Sequence, residues 1–261
     1  MLICIVKTRK FQTPCHFLIG FTCLADGLHV IGQFVFCWQL FGGYTSTQTN
    51  CFLMLLPAIL GYTISGPLIL GLGLDRLIAV KYPQFYSTLH KHPIAYIFIQ
   101  LICPLIYSTL FLAYGYWSTV DATVLCSNPV ALNAPVFQIF TYSSALIYLI
   151  VIIIYLKVYL ILKAHKNSSS NIFRSIAVTV GIVVGGWAVT TVANIVSYLF
   201  PGENFELFQV YAGVAVNFAV SANILVFYAI NLDYRLAIRQ LLGLKMPCVI
   251  DQQNVPSIRT I

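Results

Sequence analysis

Six stretches of this chain are apolar for long enough to cross a lipid bilayer. They run roughly from Cys15 to Phe36, Phe52 to Leu74, Ile94 to Trp117, Val136 to Leu162, Ile176 to Phe200 and Leu207 to Ile230. A helix needs about 20 apolar residues to span the hydrocarbon core, where each backbone N–H and C=O must find its partner within the segment. The runs are continuously apolar and lack the alternation of lumen-lining strands, which argues against a β-barrel. Composition points the same way. Hydrophobic residues make up 59% and charged residues 8% of 261 positions, whereas a soluble domain carries about 25% charged residues. The expectation is an all-α membrane protein whose exterior is solvated by lipid.

The connections between these runs alternate in charge. One set holds Lys7, Arg9 and Lys10, then Arg76, Lys81 and Lys91, then Lys163, Lys166 and Arg174, then Arg235, Arg239, Lys245 and Arg259. Lys157 lies one or two turns inside the same end of its helix, and the other set contains Asp121, Glu203 and Glu206 with no basic residue. By the positive-inside rule the basic loops and the C-terminus are cytoplasmic, as expected of a multi-pass protein of the plasma membrane. The net charge of +7 is thus spread over topology determinants, and no nucleic-acid partner is expected.

The opening MLICIV is too short to span and leads into a basic cluster. It reads as the inner stub of a first helix that is otherwise missing; a six-span protein is the alternative. Residues 232–244 have apolar positions at helical spacing with Arg235 and Arg239 between them, which suits a helix lying on the inner leaflet. Residues 1–244 are therefore expected to form one domain, and 245–261 a disordered cytoplasmic tail. Nothing points to an enzyme or a resident cofactor. His16, His29, His90, His92 and His165 do not cluster with carboxylates or cysteines at metal spacing, and no phosphate loop or nucleophile motif occurs.

Two charged positions stand out against this background. Asp75 and Arg76 form a pair at the basic end of the second run, which is costly beside lipid unless each has a partner or a job. A snorkelling interfacial pair is the plainer reading. Asp26 falls in the middle of the first run, where a carboxylate is a functional candidate by default.

The stretch Asp75-Arg76-Leu77-Ile78-Ala79-Val80, followed by Tyr82-Pro83, resembles the Asp-Arg-Tyr motif and second intracellular loop of rhodopsin-like G-protein-coupled receptors, with Leu77 in place of the tyrosine. The Gly186-Trp187 pair without a following proline, Asn223 with its hydrophobic-hydrophobic-Val ending, and Tyr234-Arg235 make the chain similar to nematode serpentine chemoreceptors of the Srsx type. The resemblance implies a seven-transmembrane-type bundle with six complete spans plus the stub of the first helix. It implies that Asp75 holds Arg76 at rest, that Arg76 meets a heterotrimeric G protein on activation, and that Trp187 and Asn223 belong to the switch. Cys51 lies 25 residues before Arg76, about 37 Å along a helix. The resemblance pairs it with Cys126 in a disulfide; by the residues alone, a free thiol or a bridge to Cys37 stays open. It also groups Asp26, Ser65 and Asn223 as oxygen donors either for a sodium ion or for a water-filled polar network. Departures from the family pattern are Val189 where the sixth helix has proline, and Ile224 and Phe227 in the last helix's motif. Gly185 and Gly186 are the alternative source of bending.

An external ligand would enter the half of the bundle opposite the basic loops. The search area there is Phe52, Met54, Leu55, Ala58, Tyr114, Phe137, Tyr142, Tyr198 and Tyr211, apolar and aromatic as ligand sites usually are. Ala58 occupies the position at which amine receptors of this family carry an aspartate. A cationic amine would lack its counter-charge there, so the expected ligand is not a biogenic amine but a chemosensory compound or a peptide. Two other readings use the same residues: a small transporter or channel built on Asp26, Ser65 and Asn223, and a receptor fragment that does not signal.

Overall fold

An apolar segment satisfies its own backbone as a helix, and the computed structural model of the chain has a helix at each of the six apolar runs. It describes residues 2–7, 11, 13–164, 171–199, 205–230 and 232–243. In chain order these form α1 (Leu2–Lys7), α2 (Pro14–Gly42), β1 (Ser46–Thr47), α3 (Gln48–Lys81), α4 (Pro83–Leu89) and α5 (Pro93–Trp117). Then come β2 (Thr123–Val124), α6 (Asn128–Ala131), α7 (Ala134–Ala164), α8 (Asn171–Leu199), α9 (Phe205–Ile230) and α10 (Leu232–Leu241). Helices α2, α3, α5 and α7 are long and apolar enough to cross a membrane. Among the described residues, α8 and α9 contribute the shorter apolar stretches Val180–Val196 and Tyr211–Ala222.

Local sequence marks where the helices begin and end. Pro14, Pro83 and Pro93 each open a helix, where the missing amide proton costs nothing. Thr47 caps α3 by accepting the Asn50 amide at 3.3 Å. Helix α2 stops at Gly43, whose φ of 65° is a left-handed cap that glycine adopts without strain.

Helix α3 is the central strut, packed against α2, α5 and α7, while α8 and α9 pair closely and close against α7 and α2. Small residues permit these crossings. A Cβ on Gly61 would come within 2.5 Å of the Ala25 carbonyl oxygen on α2, and one on Gly186 within 2.4 Å of Ala219 Cβ on α9. Such contacts are how helices associate where lipid removes the hydrophobic drive between them.

The core is largely apolar, as in any bundle, but the exterior of the long helices is apolar too. Ile94, Phe98, Leu105 and Leu110 face outward from α5, and Leu146, Leu149, Leu156 and Leu160 from α7. Hydroxyl pairs lie between the helices: Thr63 with Ser108 at 2.6 Å and Tyr107 with Ser143 at 2.7 Å. An apolar belt of this extent fits a lipid-facing surface.

The short elements fasten the two ends. Ile5 of α1 is fully buried, and Phe11 stacks on Tyr234 of α10 with ring centres 4.6 Å apart. Arg239 of α10 donates to the Tyr228 hydroxyl of α9 at 2.9 Å. The amphipathic segment thus forms a helix over Leu232–Leu241, slightly shorter than the 232–244 expected from its spacing. The expected tail, 245–261, lies outside the described residues. At the opposite end, β1 and β2 pair antiparallel, Ser46 with Val124 and Thr47 with Thr123.

Candidate functional site

Helix α3 carries a charged cluster at its basic end. Asp75 is fully buried, and Arg76 is largely so. The Arg76 guanidinium folds back onto its neighbour: Nε donates to Asp75 Oδ2 at 2.8 Å, and Nη2 donates to the same oxygen. Nη2 also donates to the Tyr86 hydroxyl of α4 at 2.8 Å. The other carboxylate oxygen, Oδ1, accepts from the Tyr96 hydroxyl of α5 at 3.1 Å. Both oxygens of the buried carboxylate are therefore engaged, as a buried charge requires. Burial pushes the Tyr86 phenol above its ordinary range; the Arg76 charge opposes that shift and the Asp75 charge adds to it. The phenol thus stays protonated at physiological pH. Sequence reading reached Asp75 and Arg76 but not Tyr86 and Tyr96. Tyr86 lies 10 and Tyr96 20 residues beyond Arg76, across a turn whose geometry no local pattern specifies.

Midway along the bundle, the Ser65 hydroxyl donates to Asp26 Oδ1 at 3.0 Å, joining α3 to α2. The third expected member, Asn223, has its side chain outside the described residues. Carboxylate and hydroxyl oxygens match the chemistry of a hard cation, though two donors form only part of a shell. No group of three or more His, Cys, Asp or Glu at metal-binding proximity occurs among the described residues.

Near the other end lies a cavity with about 750 Å³ of empty volume, its open mouth included. Its floor is aromatic. Trp187 of α8 is stacked between His29 of α2, 5.7 Å away, and Tyr148 of α7, 5.6 Å away. Phe140 meets Trp187 edge-on at 6.3 Å, and Tyr62 of α3 meets Phe140 edge-on at 4.9 Å. Such tilted and edge-on arrangements suit the ring quadrupoles. The walls add Thr141 and Ser144 of α7, Thr190 of α8, and Asn217 of α9. The roof is Ser127, Asn128 and Pro129.

That roof is held by a set of ties around the paired strands. Cys51 and Cys126 are joined in a disulfide. Gln39 accepts the Cys126 amide at 2.8 Å and donates to the Ser46 hydroxyl at 3.3 Å. Gln48 accepts the Val120 amide and donates to the Val130 carbonyl, each at 2.9 Å. Both glutamines are buried, so each polar atom counts. They were not singled out in the sequence, although an amide at the end of an apolar run was a visible clue.

The residues of the ligand search area divide sharply. Phe137 lines the cavity. Phe52, Leu55 and Ala58 are buried in helix packing, with Leu55 and Ala58 set against Gly32 of α2. Met54 lines a shallow depression beside Trp38 and Tyr44. Tyr114, Tyr142 and Tyr211 are exposed on the outer faces of their helices. The Tyr198 side chain lies outside the described residues. Residue spacing places a side chain at a depth in the bundle but leaves the rotation of its helix open, and rotation decides whether a ring faces cavity or exterior.

Residues 1–242 match the family model described as serpentine type 7TM GPCR chemoreceptor Srsx. No curated protein matches the chain.

Proposed function

The chain belongs to the Srsx family of serpentine seven-transmembrane G-protein-coupled chemoreceptors, and from that premise we propose that it relays occupancy of the roofed cavity to a heterotrimeric G protein at its basic end. The six long helices are its complete spans, the basic loops face the cytoplasm, and the disulfide end faces outward, in the plasma membrane. The observation that carries the reading is that α3 belongs to both sites. Tyr62 stands in the cavity wall, and Asp75 and Arg76 form the cluster thirteen residues further along, about 20 Å away.

At rest Asp75, with Tyr96 behind it, holds Arg76 folded against its own helix, and Tyr86 adds a second acceptor. A ligand that binds one arrangement of the bundle better than another shifts its population. Trp187 touches the cavity and packs on α2 and α7 at once, so repacking around it moves α8 relative to its neighbours. Movement at the basic end opens room for Arg76 to leave Asp75 and meet the G protein. Asp26 and Ser65 would hold a sodium ion, which would supply positive charge against the buried carboxylate.

Nucleotide exchange on co-expressed G proteins tests the reading. Arg76→Ala at equal surface expression is expected to bring exchange to the level of cells without receptor. Exchange equal to that of the unmodified chain would contradict the role given to Arg76.

A further inference from the structure

Every described residue lining the cavity is uncharged or histidine; none is Asp, Glu, Lys or Arg. Yet the lining is not apolar. The Tyr62 hydroxyl, Trp187 Nε1, Asn128 Oδ1 and Asn217 Oδ1 are buried and have no hydrogen-bond partner within the protein. Tyr62 is 3% and Trp187 6% exposed. A buried polar atom without a partner is costly, and four around one cavity point to a guest that supplies the missing bonds. The indole N–H can only donate, so that guest carries an acceptor. The Tyr62 hydroxyl can donate to the same molecule, and Asn217 offers a carbonyl oxygen to any N–H or O–H it bears. An ion would bring its charge into a site with no counter-charge, at a desolvation cost that the rings cannot repay.

We propose that the cavity takes a small uncharged organic molecule with a hydrogen-bond acceptor, such as a ketone, ester or neutral nitrogen heteroaromatic, lying against the Trp187 floor with its acceptor on Trp187 Nε1 and the Tyr62 hydroxyl. This rests on the reading of the cavity as the ligand site, and it decides between the two ligand kinds that the sequence allowed. A peptide brings charged termini and needs a wide mouth, whereas here the disulfide-held Ser127, Asn128 and Pro129 lie over the space.

The full chain, labelled with fluorotryptophan and placed in lipid nanodiscs, provides the test by fluorine NMR. It has three tryptophans, and Trp187→Phe assigns the resonance of interest. Trp38 and Trp117 are exposed and report non-specific partitioning of the probes. Acetophenone, methyl benzoate and methylpyrazine are titrated to about 5 mM, enough for a poorly fitting fragment to occupy a matching site. Benzoate and benzylammonium serve as charged counterparts.

At least one neutral probe is expected to shift the Trp187 resonance saturably, and neither ion is expected to. Tyr62→Phe is expected to weaken that probe by roughly threefold to tenfold, the worth of one hydrogen bond. Its ligand-free melting temperature should be equal or higher, because an unpartnered hydroxyl has been removed; a purely structural hydroxyl would lower it. Saturation by either ion, or silence from all three neutral probes, overturns the proposal. The readout needs no G protein, so a chain that fails here but still drives nucleotide exchange rejects the ligand class alone.

Discussion

Asp75 shows how much one buried carboxylate can organise. It accepts from Arg76 on one side and Tyr96 on the other, so three helices meet at its two oxygens once Tyr86 of α4 is counted through Arg76. Neighbouring residues on a helix point in different directions, and Arg76 reaches Asp75 only by curling its long side chain back. The Tyr96 bond fixes the carboxylate where Arg76 meets it, and a hydrogen bond to a charged group contributes about 1.5–3 kcal/mol, so its loss destabilises the resting arrangement. Tyr96→Phe is therefore expected to raise ligand-free nucleotide exchange several-fold, measured at matched surface expression. The Asp75-Arg76 pair was legible in the sequence because charge is rare in an apolar run. Tyr86 and Tyr96 were not, because tyrosine is common in this chain, which has 16, and nothing local distinguishes these two.

At the scale of elements, the two adjacent glycines of α8 make opposite predictions. A Cβ on Gly186 would collide with Ala219 at 2.4 Å and sit 3.1 Å from the Ala215 carbonyl oxygen; a Cβ on Gly185 would meet nothing within 4 Å. Gly186→Ala must push α8 off α9, at a cost of about 1–3 kcal/mol. Gly185→Ala should be neutral or stabilise by up to about 1 kcal/mol through helix propensity. Thermal unfolding of the purified variants in one detergent separates the two. The sequence reading offered both glycines as a source of bending in place of the absent proline. The structure gives Gly186 a contact with α9 instead, a distinction that depends on which helix lies opposite and so is invisible in one dimension.

Over the whole molecule, the order and approximate bounds of the six long helices were readable, because bilayer thickness imposes a length that ordinary sequences do not meet by chance. The charge alternation was equally plain. The cavity was not, since its wall is assembled from α2, α3, α7, α8 and α9 with a roof from the segment after β2. Of the search-area residues with described side chains, only Phe137 lines it. The rings that do line it, Tyr62, Phe140 and Trp187, with Tyr148 stacked on Trp187, became recognisable only when packing put them together. The molecule has a roofed cavity at one end, an arginine folded onto Asp75 at the other, and α3 running between them.

The claim that the Asp75 clamp holds back a G-protein contact made by Arg76 can be measured without knowing the ligand. Asp75→Asn keeps the size of the side chain and removes its charge. In membranes with purified G protein, this variant is expected to show ligand-free nucleotide exchange well above the unmodified chain, and adding Arg76→Ala should return exchange to the receptor-free rate. Elevated exchange that survives the loss of Arg76, or an Asp75→Asn chain no more active than the original, would contradict the account.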